Sequence, residues 1–151
     1  MRKFGILILC VLLLAGMVSS AMAQEVSCPE AHLILTVPDS WTVVPVSGSD
    51  DPDLRLLLNG RDLTLSVYVA DAQGLLPDAF EIFTGDETDS GTVIFGGVEM
   101  TYVAGKNRDG DYRIYTWLDR RNQVQLYFLV TAHLKSSQQV IDEVMNSIRF
   151  E

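Results

Sequence analysis

The chain is poor in cysteine, in histidine and in basic residues. It has two cysteines among its 151 residues, which excludes a framework of several disulfides. Its 11 Lys and Arg are outnumbered by 20 Asp and Glu, so the formal net charge is −9. Because no stripe of basic residues is present to neutralise phosphates, we expect neither nucleic acid nor an anionic membrane surface as a partner.

Recognisable catalytic and metal-binding motifs are also missing from the sequence. The two histidines, His32 and His133, have no second ligand at the spacing of a zinc site. The Gly-x-Ser-x-Gly motif of a nucleophile elbow does not occur. We therefore expect no enzyme activity, no cofactor and no metal site. A hydrolase that uses two carboxylates remains an open alternative, because sequence spacing does not show whether acids converge in one cleft.

Three acidic segments are the remaining candidates for binding a cation. Segments 50–53 and 86–89 each carry three acidic residues, and carboxylate oxygens are ligands for Ca²⁺. Segment 107–111 has the composition of a calcium loop, but it lacks the distant Glu of an EF-hand. We favour solvated loops for the first two segments and a hairpin turn for the third.

The first 23 residues have the pattern of a secretory signal peptide. Two basic residues precede an apolar run from Phe4 to Val18, and alanines occupy positions 21 and 23. We expect cleavage near Ala23, a single domain over residues 24–151, and a secreted or periplasmic location. Composition after residue 23 is uniform, so no membrane span is expected in the mature chain.

Cleavage there would leave Cys28 as the one cysteine of the mature chain. An internal disulfide is then impossible. Cys28 lies near an N-terminus that we expect to be loose, so it could pair with a cysteine of another chain. A silent thiol is the alternative that we favour.

Alternating apolar residues separated by turn signals predict a protein built mainly of strands. Strands are expected at 33–37, 43–46, 54–58, 63–69, 92–95, 98–104, 112–118 and 124–132. The first two resemble a short hairpin around Pro38–Trp41. The Asn59-Gly60 pair predicts a second hairpin, with positive φ at both turn positions.

Two segments have helical signals. Pro77 can open a short helix that ends near Phe83. A second helix follows a possible cap at Ser136 and has an apolar stripe formed by Val140, Ile141, Val144, Met145 and Ile148. The expected class is α+β, an antiparallel sheet with the C-terminal helix and the short helix packed on it.

Aromatic residues provide the one hint of a binding surface. Period-two alternation predicts that Tyr68, Tyr115, Trp117 and Tyr127 share one face of the sheet. If that face is open, the four form an aromatic patch suited to a partner or a small ligand. If the short helix covers the face, the four belong to the core, which is the interpretation that we favour.

Four short motifs resemble the PsbP-like family, which includes the PsbP protein of photosystem II, the Ran-binding Mog protein and DcrB-type bacterial envelope proteins. The motifs are Val37-Pro38-Asp39-Ser40-Trp41, Gly96-Gly97-Val98-Glu99-Met100, the strand Val124 to Thr131, and Asn146-Ser147-Ile148-Arg149-Phe150. The resemblance covers nearly all of residues 24–151. It implies an α/β/α sandwich around an antiparallel sheet and a role in binding or assembly, and it supplies no functional residue.

The sequence thus predicts an exported, non-catalytic binding or accessory protein of the cell envelope, whose partner is another envelope or secreted protein. The alternative is a protein that binds a small molecule or a divalent cation.

Overall fold

The computed structural model describes residues 23–71, 87–108, 110–132 and 138–151. Within these ranges the chain forms ten strands, one 3-10 turn (Pro29–Ala31) and one α-helix. In chain order the elements are β1 (Ala23–Cys28), β2 (Leu33–Pro38), β3 (Thr42–Val44), β4 (Leu54–Asn59), β5 (Leu63–Asp71), β6 (Glu87–Phe95), β7 (Val98–Asn107), β8 (Gly110–Asp119), β9 (Val124–Ala132), α1 (Gln138–Asn146) and β10 (Arg149–Phe150).

The strands form two antiparallel sheets. A three-stranded sheet has the order β1-β2-β10, and a seven-stranded sheet has the order β3-β4-β5-β9-β8-β7-β6. The predicted antiparallel architecture with a C-terminal helix is confirmed. The strands are divided between two sheets, whereas the sequence predicted one. The predicted short helix at 77–83 and the cap at Ser136 lie outside the described residues.

The main core lies where the seven-stranded sheet, the three-stranded sheet and α1 meet. Alternate residues of β2, β5 and β9 point into it, since successive side chains of a strand face opposite sides. From α1 it receives Ile141, Val144 and Met145, which share one face of the helix as predicted. We call the face of the seven-stranded sheet toward this core the inner face, and the opposite face the outer face.

The predicted hairpin between the strands at 33–37 and 43–46 is wrong. Both sides of β2 are occupied, by β1 and by β10, while β3 pairs with β4 in the other sheet. A turn closed by the Trp41 N–H on the Pro38 carbonyl, at 2.9 Å, directs the chain from one sheet into the other.

The hairpin at Asn59-Gly60 is confirmed, but its turn differs from the predicted one. Neither residue has a positive φ, and the Gly60 N–H bonds to the Leu63 carbonyl across a longer loop. A Cβ at Gly60 would lie 2.9 Å from the buried Trp41 indole. The glycine is therefore required by the close approach of the tryptophan ring.

The segment around Cys28 is not a loose end. Strand β1 pairs with β2 along its whole length, and Cys28 is 1% exposed. Burial raises the pKa of its thiol to about 11. An intermolecular disulfide would require the three-stranded sheet to open, so the structure supports the silent thiol that the sequence favoured.

Two of the acidic segments also have a defined structure. Strands β7 and β8 form a hairpin at the third segment, with Asn107 opposite Gly110 and Lys106 opposite Asp111, as predicted. Glu87 and Asp89 belong to strand β6, so the loop expected there is wrong. Across the described ranges, no helix has the length and apolar character needed to cross a membrane.

Candidate functional site

The four aromatic residues singled out in the sequence do not form one patch. Tyr68 lies opposite Tyr127, which in turn lies opposite Thr116, so these three side chains share the outer face. Tyr115 and Trp117 flank Thr116 in the strand and therefore point to the inner face. The prediction of a shared face is wrong, because the parity of β8 relative to β9 is opposite to the one assumed.

On the outer face, Tyr68 and Tyr127 are buried in a small second cluster with Tyr112, Ile114 and Leu129. Their exposed fractions are 7% and 2%. Burial raises the pKa of both phenols, and the negative charges of Asp51 and Asp53 add to the effect. Both side chains are neutral core residues near physiological pH.

On the inner face, Tyr115 is 1% exposed and packs edge-on against Phe95, with ring centroids 5.2 Å apart. Trp117 is partly buried and lies 4.3 Å from the Phe150 ring. Tyr115 thus packs against another strand of its own sheet, whereas Trp117 connects this sheet to β10 of the three-stranded sheet. The core interpretation agrees with the burial of Tyr68, Tyr115 and Tyr127.

A cleft of about 370 Å³ lies at the inner side of the β6–β9 end of the sheet, beside the start of α1. Its volume falls in the lower range of known small-molecule sites. Strands β6 to β9 and the helix contribute the walls, which combine polar and apolar side chains: Thr88, Asp89, Ala104, Lys106, Asp111, Tyr112, Arg113, Val130, Ala132, Gln138 and Ile141, with Gly105.

One polar group of the cleft is centred on Arg113. The Arg113 guanidinium carbon lies 4.9 Å from the centroid of the Tyr102 ring, within the range of a cation–π interaction. The Tyr102 hydroxyl donates a hydrogen bond to Asp89 Oδ2 at 3.0 Å. That bond is the main cause of the raised pKa of Tyr102, so the phenol stays protonated and keeps donating.

The helix side of the cleft is organised by Gln138. Its amide nitrogen donates to Asp142 Oδ1 at 2.7 Å, one helical turn further on, and reaches the Tyr115 hydroxyl at 3.5 Å. Burial raises the pKa of Tyr115, although Gln138 and Arg113 act to lower it. The polar side chains therefore form a continuous series from α1 across β8 to β6.

The two carboxylates that line the cleft already interact with other side chains. Asp89 accepts the hydrogen bond from Tyr102, and Asp111 lies 3.8 Å from Lys106 Nζ. An arrangement of one guanidinium with engaged carboxylates, protonated phenols and an amide suits binding of a polar ligand better than proton transfer.

The other candidates from the sequence give no comparable site. Residues 50–53 form a loop held by short-range bonds, from Asp51 N to Ser49 Oγ and from Asp53 N to Asp51 Oδ1, both 3.1 Å. His32 is exposed and ends the 3-10 turn with φ at 49°, while His133 lies outside the described residues. Within the ranges described, no group of three His, Cys, Asp or Glu could hold a metal ion.

The outer face of the same end of the sheet is open. Of the four large apolar side chains that are exposed in the described ranges, Ile94, Val103 and Leu118 lie on this face, and Val43 lies on edge strand β3. A shallow depression of about 370 Å³ lies beside Thr101, Thr116 and Leu118. We call the surface formed by Ile94, Val103 and Leu118 the open face.

Known structures provide the comparison for this architecture. The fold matches the solution structure of cyanobacterial PsbP (CyanoP) from Synechocystis sp. PCC 6803, with a TM-score of 0.61 and 18% identity over 90% of this chain and 96% of that one. The chain therefore has a PsbP-like fold. This confirms the fold that the short motifs suggested.

A second solved structure is a more distant match. A crystal structure from Bacteroides thetaiotaomicron gives a TM-score of 0.52 at 14% identity, over 85% of this chain and 48% of that one. No protein-family model matches the sequence. No curated protein matches it significantly either. At these identities the comparisons define the fold alone.

Sequence reasoning missed Arg113, Tyr102 and Gln138, which organise the cleft. One signal was available, because Arg113 falls on the same period-two face of β8 as Tyr115 and Trp117. A cation on the apolar face of a strand is unusual and marks a place where the core opens to a polar site. Tyr102 and Gln138 had no such signal, since their meeting with β8 depends on tertiary structure.

Proposed function

We propose that the protein is exported and non-catalytic, and that it binds another protein of the cell envelope through the open face. The observation that carries the proposal is the exposure of Ile94, Val103 and Leu118 on one face, with Ile94 64% exposed. Export is supported by the signal-peptide pattern of residues 1–23. The α/β/α sandwich of the PsbP-like family, with its accessory roles, is consistent with this function.

The open face has the chemistry of a protein interface. Its apolar side chains are interspersed with the threonines Thr92, Thr101 and Thr116, and Glu99 lies opposite Ile94 on the same face. Such surfaces combine apolar contact with hydroxyls that can pair across the interface, and their exposure is costly unless a partner covers them.

Site-specific crosslinking tests the proposal. A photoreactive phenylalanine analogue replaces Val103 in the full-length protein produced in its native host, and adducts are identified by mass spectrometry after irradiation. The matched control carries the analogue at Val43, which is similarly exposed but lies on the opposite edge of the sheet. We expect one reproducible adduct from position 103 and none of that mass from position 43. Equal adducts from both positions, or none, would contradict the proposal.

A second candidate function is the binding of a small molecule in the cleft. The observation that favours it is the polar series around Arg113 within a volume of about 370 Å³. Divalent cations, the other part of this alternative, have no comparable cluster of ligands in the described ranges. A thermal-shift panel of residues 24–151 that includes Ca²⁺ and small organic anions separates the two, because a ligand that binds the native state raises Tm by mass action.

A further inference from the structure

Arg113 differs from the other cations of the described residues because it is half-buried and lines a cleft. It is half-buried on the inner face of the sheet, and no carboxylate oxygen among the described residues lies within 4 Å of its guanidinium. By contrast, Lys106 and Arg149 both have acidic partners. Partial burial of a cation with no carboxylate in contact lowers the stability of the folded state. A ligand of opposite charge would account for such a residue in a protein of net charge −9.

The guanidinium is held in place by its neighbours. The Tyr102 ring covers one face of the group, and the Tyr115 hydroxyl lies beside it. Tyr102 is fixed in turn by its bond to Asp89. Arg113 lines the cleft, and an arginine has five N–H donors in one plane, more than these contacts engage. A pair of such donors matches the two oxygens of a carboxylate.

The surroundings limit the charge and shape of the ligand. Asp89 and Asp111 line the same cleft, and Lys106 offsets the charge of Asp111 from 3.8 Å. The remaining charge of Asp89 would repel a dianion more strongly than a monoanion. Ala104, Val130, Ala132 and Ile141 provide an apolar wall. We infer that the cleft binds a small monocarboxylate with a short hydrocarbon chain, with its carboxylate on Arg113 and its chain along this wall. The inference rests on the small-molecule candidate and is independent of the protein partner.

The experiment is an NMR titration of residues 24–151, labelled with ¹⁵N, with sodium hexanoate. The matched neutral probe is hexanamide, which has the same chain and no charge, and a third titration uses inorganic phosphate. We expect hexanoate to shift the amide resonances of residues 88–89, 104–106, 111–113 and 138–141. Hexanamide and phosphate should bind at least about tenfold more weakly, because a charge-assisted hydrogen bond contributes more than a neutral one.

The variant Arg113→Gln should weaken hexanoate binding about tenfold or more and leave hexanamide binding unchanged. Arg120→Gln is the control, because it removes the same charge from an exposed turn outside the cleft. Dispersed spectra and unchanged Tm identify variants that remain folded. If Arg113→Gln does not fold, Arg113→Lys serves the same purpose, since it keeps the charge but loses the paired donors.

Three outcomes would overturn the inference. Equal binding of hexanoate and hexanamide would leave a small-molecule cleft without anion selectivity. Stronger binding of phosphate than of hexanoate would show that the cleft prefers a different class of anion from the proposed monocarboxylate. No shift with any probe would remove the inference. The small-molecule candidate would then depend on the thermal-shift panel, and the crosslinking result from the open face would be unaffected.

Discussion

The centre of the seven-stranded sheet and its β6–β8 end differ in how their outer faces are covered. In β5 and β9 both faces are buried: Val67 and Phe128 are 0% exposed on the inner face, and Tyr127 is 2% exposed on the outer one. In β6 the faces alternate, because Phe95 is 3% exposed whereas the adjacent Ile94 is 64% exposed. In the sequence, the burial of both faces is visible in β9 as a continuous apolar run from Leu126 to Val130.

This difference separates the most buried part of the sheet from the two proposed binding surfaces. Strands β5 and β9 are central, with neighbours on both sides, whereas β6 is the edge of the sheet. The cleft around Arg113 and the open face both belong to the β6–β8 end. Binding surfaces occur where the native structure has fewer buried contacts, since these regions can exchange solvent for a partner at lower cost.

The largest expected effect is the loss of a central core side chain. Phe128→Ala removes a ring that is 0% exposed in β9, and it should lower the free energy of unfolding by about 3–5 kcal/mol. Urea denaturation monitored by circular dichroism measures the change.

The matched change at the β6–β8 end is Val103→Ala, on the outer face of β7 with 37% exposure. It should cost less than about 1 kcal/mol, because little buried area is lost. If the two variants lower the free energy of unfolding by comparable amounts, the centre of the sheet and its β6–β8 end contribute equally to stability.

A smaller effect tests whether the β6–β7 end is nevertheless anchored. Gly96 has φ at 55°, and a Cβ there would lie 2.4 Å from the Ile148 carbonyl oxygen. Gly96→Ala should therefore cost about 2–3 kcal/mol, from the left-handed backbone together with displacement of the segment after α1.

Gly97 provides the control within the same turn. Its φ is 79°, but a Cβ at this position meets no atom within 4 Å. Gly97→Ala should cost about 1 kcal/mol, from backbone conformation alone. Thermal unfolding of both variants measures the difference, and equal costs would show that the contact with Ile148 does not anchor the turn.

Much of the strand content could be predicted from the sequence, because each strand carries its own local signal. The β9 boundaries, 124–132, coincide with the apolar run, and Ile141, Val144 and Met145 bury the predicted stripe. Strand β1 was missed because it follows directly on the signal-peptide pattern, and its two buried residues, Val26 and Cys28, are too few for a period to be detected.

The pairing of the strands, and the sheet face to which each side chain points, could not be predicted because both depend on partners distant in the chain. Strand β2 ends at a turn typical of hairpins, yet its hydrogen bonds are taken by β1 and by β10, more than 100 residues later. The face of Tyr115 depends on the register of β8 with β9, where a change of one residue exchanges the faces. The cleft could not be predicted for the same reason, because residues of β6, β8 and α1 meet there only in the folded protein.

We expect an intermediate, pH-dependent effect at the turn that joins β8 to the central strand β9. Asp119 ends β8 and is 5% exposed; its carboxylate accepts bonds from the Arg121 and Asn122 N–H groups and from the Asn122 amide. Burial alone would raise the pKa of Asp119, but these bonds together lower it. Asp119→Ala should cost about 1–2 kcal/mol at pH 7.

The sign of the pH dependence follows from the lowered pKa. The ionised carboxylate stabilises the folded state fully above the pKa of an unfolded aspartate, about 3.9, and this contribution is lost as pH falls through the folded value. The stability difference between wild type and Asp119→Ala should therefore shrink below about pH 4. Asp50→Ala, in an exposed loop, should have little effect on stability at pH 7 or below pH 4. If the stability difference between wild type and Asp119→Ala does not change with pH, the ionised Asp119 carboxylate is not the stabilising group.

The smallest expected effect is at the cleft itself. Lys106 and Asp111 lie 3.8 Å apart across the β7–β8 hairpin, with 68% and 47% of their side chains exposed. Lys106→Gln should change the free energy of unfolding by less than about 0.5 kcal/mol, because solvent and salt screen exposed ion pairs. Urea denaturation at low and high salt measures it. A loss above 1 kcal/mol would mean that this end of the sheet depends on its polar contacts for folding, and the cleft would then be a structural feature as much as a binding one.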